Sequence, residues 1–170
     1  MKQLLKIIVF LVLNFGALAL GSYLMGGSPA TNTWYIELKR APWTPPGYFF
    51  GLAWTTIMIL FTVFLVKNFS WNKSFIALLI AHYVLNIGWN PIFFRWHLLG
   101  LGCIVIALLF VTVFSFLFLV EKSKRTSSIL LLLPYLLWLC VAFSLNLYPL
   151  IQIGLLLFLR NLFKNIFFLF

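Results

Sequence analysis

Residues 34–47 read Trp34-Tyr35-Ile36-Glu37-Leu38-Lys39-Arg40-Ala41-Pro42-Trp43-Thr44-Pro45-Pro46-Gly47. This is the only long polar interruption in a chain that otherwise reads as hydrocarbon. It holds two of the seven Trp, three of the seven Pro and one of the two acidic residues. A connector between apolar helices needs only a few polar residues. A long, aromatic, proline-stiffened one is expected to do more than connect.

What flanks this stretch sets the fold class. The 170 residues are 64% hydrophobic, 19% aromatic and 8% charged. A soluble domain carries about 25% charged residues. So little charge cannot clothe a water-exposed surface, and lipid is the expected solvent. The net charge is +10, yet the twelve Lys and Arg are scattered singly and in pairs. No basic stripe points to nucleic acid. The bases fall between apolar runs, where they anchor helix ends at phospholipid headgroups. Cys103 and Cys140 lie inside apolar runs with no ligand-spaced His or Cys, and are read as buried thiols.

A membrane-spanning helix needs about 20 mostly apolar residues. Five segments qualify, at about 4–25, 46–66, 74–94, 98–120 and 127–151. The expected fold is an all-α membrane protein, a five-transmembrane-helix bundle with a long, partly ordered loop between helices one and two. Pro45-Pro46 begin the second span, where a missing N–H costs nothing. Short turns join spans two to five, so sequential helices are expected to pack antiparallel. Ala17-Leu18-Ala19 mimics a signal-peptide cleavage site, but the apolar run continues to Met25, which favours an uncleaved helix. Residues 153–170 are apolar but broken by Arg160-Asn161 and Lys164-Asn165. They read as a continuation of helix five or an interfacial extension. Seven basic residues on the N-terminal side against five opposite lean toward a cytoplasmic N-terminus.

Polar and aromatic residues inside spans are costly, so their placement is the functional clue. In the third span His82, Asn86, Trp89 and Phe93 share one helical face. In the fifth, Pro134, Trp138, Ala142 and Asn146 share another, and Ala142 leaves a gap on it. Gly47, Gly51 and Thr55 form a small-residue ridge in the second span, with Trp54 beside it. The only carboxylates, Glu37 and Glu121, lie in loops, which excludes paired-carboxylate catalysis inside the membrane. The set suits a large, flat, apolar molecule: Trp and Phe faces stack on a conjugated ring, and Asn and His orient it. Lys39, Arg40 or Arg95 could meet its carboxylate arms. Two plainer readings stand beside this one. Asn86, Asn146 and His82 could simply bond helix to helix, at about 0.6 kcal/mol each. Trp71 and Trp96 fit the interfacial aromatic belt, and His97 fits a polar position at the membrane interface.

Three motifs carry a family resemblance. Trp34-Tyr35-x-x-Leu38-x-x-x-x-Trp43-Thr44-Pro45-Pro46 with Gly51-x-x-Trp54-Thr55 is the first. Leu85-Asn86-x-x-Trp89-Asn90-Pro91-Ile92-Phe93-Phe94 is the second, and Pro134-Tyr135-Leu136-x-Trp138-x-x-x-Ala142-x-x-x-Asn146 the third. Together, over residues 1–152, the chain resembles the tryptophan-rich sensory protein / translocator protein (TspO/MBR, peripheral benzodiazepine receptor) family.

The resemblance implies a five-helix bundle, usually a homodimer; the two intramembrane Cys and the absence of eukaryotic targeting features are compatible with a bacterial cell membrane. It implies a porphyrin ligand, protoporphyrin IX or haem, with no required cofactor and no metal site. Trp34 and Tyr35 would lie in a lid over a cavity lined by Trp54, His82, Asn86, Trp89, Phe93, Trp138, Ala142 and Asn146. The protein would act as sensor, regulator or carrier of porphyrins. One alternative is light-dependent porphyrin degradation with Trp34 or Trp138 as redox partner. Another is a structural membrane protein without a ligand.

Departures from the family pattern are Pro42, displaced by one position, His82 in place of an amide, and Val105 in place of an acidic residue. After Tyr148 the next base is Arg160, so the sterol-recognition pattern of animal relatives is not met.

Overall fold

The computed structural model describes the backbone of residues 2–167 and the side chains of residues 3–155. Among the described residues every regular element is helical. These elements are α1 (Lys2–Leu24), α2 (Thr33–Glu37), α3 (Gly47–Asn68), α4 (Lys73–Asn90), α5 (Leu99–Ser115) and α6 (Arg125–Phe167). A π-helical turn, Pro91–Arg95, extends α4. Five helices are long and apolar enough to cross a membrane: α1, α3, α4 with its turn, α5 with the turn after it, and α6. The fifth runs unbroken through Pro134 and Pro149, so the extension at 153–167 continues its helix. Residues 168–170 lie outside the described residues.

The close helix pairs are α1 with α3 and α4, α4 with α5, α5 with α6, and α6 with α3. Around the bundle the order is therefore α1, α3, α6, α5, α4. This corrects one expectation of neighbourly packing. α3 and α4 are joined by the short turn 69–72, yet they do not form one of the close backbone pairs. They face each other across the bundle through long side chains, with the Phe61 and His82 rings 4.4 Å apart between centroids. α1 closes the ring by packing on both. Its buried Asn14 donates to Thr62 Oγ1 of α3 at 2.8 Å and accepts from the Tyr83 hydroxyl of α4 at 2.8 Å. An amide in a spanning helix needs such partners, because lipid supplies none.

The two ends of the bundle are filled differently. Toward the 69–72 and 119–124 turns, Phe61, Phe64, Phe75 and Phe116 are fully buried and meet ring to ring. Toward the opposite end the interior carries Trp, Asn, His and Tyr, and the 25–46 segment covers it.

Two glycines allow close approach there. A Cβ on Gly21 would lie 2.6 Å from Asn90 Nδ2, and one on Gly102 would lie 3.3 Å from Asn146 Oδ1 and 3.4 Å from the Phe93 ring. The Gly47–Gly51–Thr55 ridge, by contrast, is exposed, and a Cβ at either glycine would meet nothing within 4 Å. It takes no part in packing within the chain. Cys140 is also exposed, on the outer face of α6, which corrects the buried reading; Cys103 is buried as expected. Leu, Ile and Val side chains cover the outside of the bundle, the surface a bilayer requires.

Candidate functional site

α4 and α6 deliver the interior polar groups. The i, i+4 spacing puts His82 and Asn86 on one face of α4, and both are buried. Tyr135 on α6 reaches between them. Its hydroxyl accepts from Asn86 Nδ2 at 3.0 Å and lies 3.0 Å from His82 Nε2. If Tyr135 donates its proton to Nε2, the hydroxyl is satisfied on both sides and the His82 proton sits on Nδ1. Trp54 of α3 stands edge-on to Tyr135, at 5.9 Å between centroids. Tyr135 is therefore the hub of the site. It stands in the third motif, although the cavity lining that the resemblance implies leaves it out. The signal was present: it lies four residues before Leu139 and three before Trp138, within the same buried stripe.

Further along both helices, three residues past Asn86 and eleven past Tyr135, is a second contact. Trp89 Nε1 donates to Asn146 Oδ1 at 3.3 Å, and Asn146 Nδ2 donates back to the Ala142 carbonyl at 2.8 Å. Trp89 also stacks on Phe93 at 5.6 Å. Ala142 and Trp89 pack on the inner core. Trp138 faces α3, against Phe49 and Phe50 at 5.9 Å and 5.4 Å.

The lid is built on a five-residue helix. Asn32 caps α2, with Oδ1 accepting from the Tyr35 amide at 2.9 Å. Its Nδ2 donates to the Phe94 carbonyl at 3.0 Å, which latches the lid to the end of the third span. The Trp34 ring stacks on His97 at 4.2 Å and meets Phe93 edge-on at 5.5 Å. Tyr35 meets Phe93 and Phe94 edge-on at 6.2 Å and 5.1 Å, and the Arg40 guanidinium lies 5.7 Å from the Tyr35 ring centre. Burial pushes the Tyr35 phenol up, and the nearby Arg40 partly opposes the shift. His97 is thus part of the lid contact rather than a free polar residue at the interface. It adopts a left-handed backbone, φ 58°, which turns its ring back toward Trp34. The far half of the lid is tied to α6: Trp43 Nε1 donates to Ser144 Oγ at 3.1 Å and Lys39 Nζ to Gln152 Oε1 at 2.8 Å.

The ten residues expected at the site fall into two groups. Trp54, Trp138 and Ala142 belong with the inner core, and His82 and Asn86 join it through Tyr135. Trp34, Tyr35 and Phe93 belong with the lid cluster. Trp89 packs on both groups, and its bond to Asn146 joins them. Val105 is buried on α5. His82 Nδ1 and Trp138 Nε1 are the buried side-chain polar atoms without a hydrogen-bond partner among the described residues. Both belong to the aromatic set.

The TspO/MBR family model matches residues 8–151. Protein CrtK of Rhodobacter capsulatus is 34% identical over 121 residues, 68% of this chain and 75% of the relative. The tryptophan-rich protein TspO of Archaeoglobus fulgidus is 31% identical over 151 residues, 86% and 93%. The tryptophan-rich sensory protein of Cereibacter sphaeroides is 29% identical over 129 residues, 71% and 81%. With five spanning helices and a family match over most of its length, this chain belongs to the TspO/MBR family of membrane proteins.

Proposed function

We propose that this protein binds a porphyrin-class ligand between α3, α4 and α6 and acts as a sensor, regulator or carrier of it in the cell membrane of a bacterium. One observation carries the reading. The unpartnered buried polar atoms, His82 Nδ1 and Trp138 Nε1, both lie in the aromatic set. A buried donor without a partner costs about 1–3 kcal/mol, so a ligand that supplies an acceptor recovers that free energy on binding. A tetrapyrrole offers such groups on a flat apolar body, and the indole faces of Trp54, Trp89 and Trp138 match that body. That one relative is named a tryptophan-rich sensory protein supports a sensing role.

The test is a titration of the detergent-solubilised protein with protoporphyrin IX, followed by quenching of Trp fluorescence. The double variant Trp138→Phe, Asn146→Ala should bind at least tenfold more weakly, the loss of one or two hydrogen bonds and their stacking. Unchanged affinity would refute this binding region.

A further inference from the structure

The ends of α1 and of the Pro91–Arg95 turn enclose a groove outside the aromatic set, and of its lining residues Arg95 alone is also a candidate for a porphyrin's carboxylate arms. The groove measures about 520 Å³. Met25 and Phe94, both buried, form an apolar floor, and the exposed Tyr23 and Arg95 stand at its mouth. The Arg95 stem runs past Gly26, where an added Cβ would lie 3.9 Å from Arg95 Cδ. Gly26 has φ +83°, a left-handed conformation that suits glycine. Asn32 also lines the groove, but both ends of its amide are committed, to Phe94 and to Tyr35. The guanidinium and the Tyr23 hydroxyl are the donors left for a ligand.

The geometry points to a seat for the headgroup of an anionic phospholipid, with its phosphodiester on Arg95 and Tyr23 and its glycerol end on Met25 and Phe94. Four observations support this occupant. The groove lies where two spanning helices end, beside the exposed Trp96, at the depth of lipid headgroups. A planar guanidinium matches a phosphate with two parallel hydrogen bonds. The lining contains no carboxylate to receive the cation of a zwitterionic headgroup. Among the described residues the ion pair joins Lys124 to Glu121, in the turn before α6, so no acid occupies Arg95. An inorganic phosphate would leave the apolar floor unused. The inference rests on membrane insertion, and its test uses no porphyrin.

The seat has a consequence for the lid. Asn32 and Phe94, the two residues of the lid latch, both line the seat. A bound headgroup therefore braces the closed lid from outside.

The experiment compares the full-length protein in phosphatidylcholine bicelles with and without phosphatidylglycerol. Native mass spectrometry reads lipid retained, and thermal unfolding reads stabilisation. Wild type should retain phosphatidylglycerol in preference to phosphatidylcholine. Arg95→Gln should weaken that retention about tenfold, the scale of one charge-assisted contact, and Tyr23→Phe by less. Lys122→Gln, in the 119–124 turn, should leave it unchanged. Equal losses in Arg95→Gln and Lys122→Gln would reduce the effect to general surface charge and overturn the proposal. So would an absence of phosphatidylglycerol preference in wild type. Full stabilisation by inorganic phosphate without anionic lipid would overturn the lipid assignment. Because Tyr23→Phe alters an exposed hydroxyl only, it keeps the test valid if Arg95→Gln folds poorly.

Discussion

Around Tyr135, three side chains from two helices meet within hydrogen-bond distance. Around Trp34, rings meet edge to face or stacked, and Asn32 alone bonds across to the third span. Both regions are aromatic, yet the inner one is fixed by directional bonds between spanning helices and the outer one by ring contacts on a short helix. Hydrogen bonds in a lipid-shielded interior have no water to replace them. Ring contacts at the membrane edge can be exchanged for other rings, including those of a ligand, at little loss. The inner region therefore sets shape, and the lid is held by contacts that are more readily exchanged.

This contrast can be broken most severely where the two regions touch. Gly102 faces both Asn146 and Phe93. Gly102→Leu should force them apart and destabilise the protein by about 3 kcal/mol, the upper range for overpacking. Denaturation in detergent would read it, and a loss below about 1 kcal/mol would mean that α5 has room to retreat.

Next in size is Tyr135→Phe, which leaves His82 Nε2 and Asn86 Nδ2 without their shared partner. We expect a loss of about 2 kcal/mol in the same assay. The lid should be unaffected, with unchanged proteolysis of residues 25–46. A lid that opens in this variant would show that the regions are one cooperative unit.

Asn32→Ala reverses the pattern. It removes a helix cap and the latch, with an effect of about 1 kcal/mol confined to the lid. Proteolytic nicking between α1 and α3 should accelerate severalfold while the global unfolding midpoint stays close to wild type. A midpoint shift as large as that of Tyr135→Phe would contradict the division.

The smallest effect is a pH dependence. Burial raises the Tyr35 phenol above its ordinary value, with Arg40 opposing. Because the folded value is the higher one, lid docking keeps its full strength below about pH 10 and weakens as pH rises through the folded value. Nicking of the lid should therefore increase in strong alkali for wild type and not for Tyr35→Phe. Identical alkaline profiles would remove Tyr35 from the docking contact.

The spans were legible because each is a long apolar run bounded by Lys, Arg, Pro or Gly. Their arrangement was not. These helices are apolar on nearly every side, so periodicity does not tell which face meets which neighbour. That is why the separation of α3 from α4 by Phe61 and His82 came only from the structure. Within the site, the α4 face was legible from spacing, and His82 and Asn86 do meet one partner. That partner, Tyr135, and the buried network of Asn14, Thr62 and Tyr83 were not legible, since a lone polar residue in a span does not name its mate. α2 was hidden by its length: five residues give no period, and the only mark is Asn32 as a cap. His97 was missed because its contact depends on a left-handed backbone that the sequence around a turn does not announce.

The π-helical turn at Pro91–Arg95 acts as a gear change in the third span. Pro91 has no N–H for the ladder, and the turn closes one residue late, with the Trp96 amide on the Pro91 carbonyl at 2.9 Å. Before the turn, the phase of the helix sends His82 and Asn86 inward. After it, Phe93 and Phe94, adjacent in sequence, are both buried beneath the lid, and Arg95 emerges at the surface. A single helix thereby faces two directions without a break. Deleting one residue here would rotate the footing of the lid and the basic mouth of the groove together, while the bonds to Tyr135 kept their register.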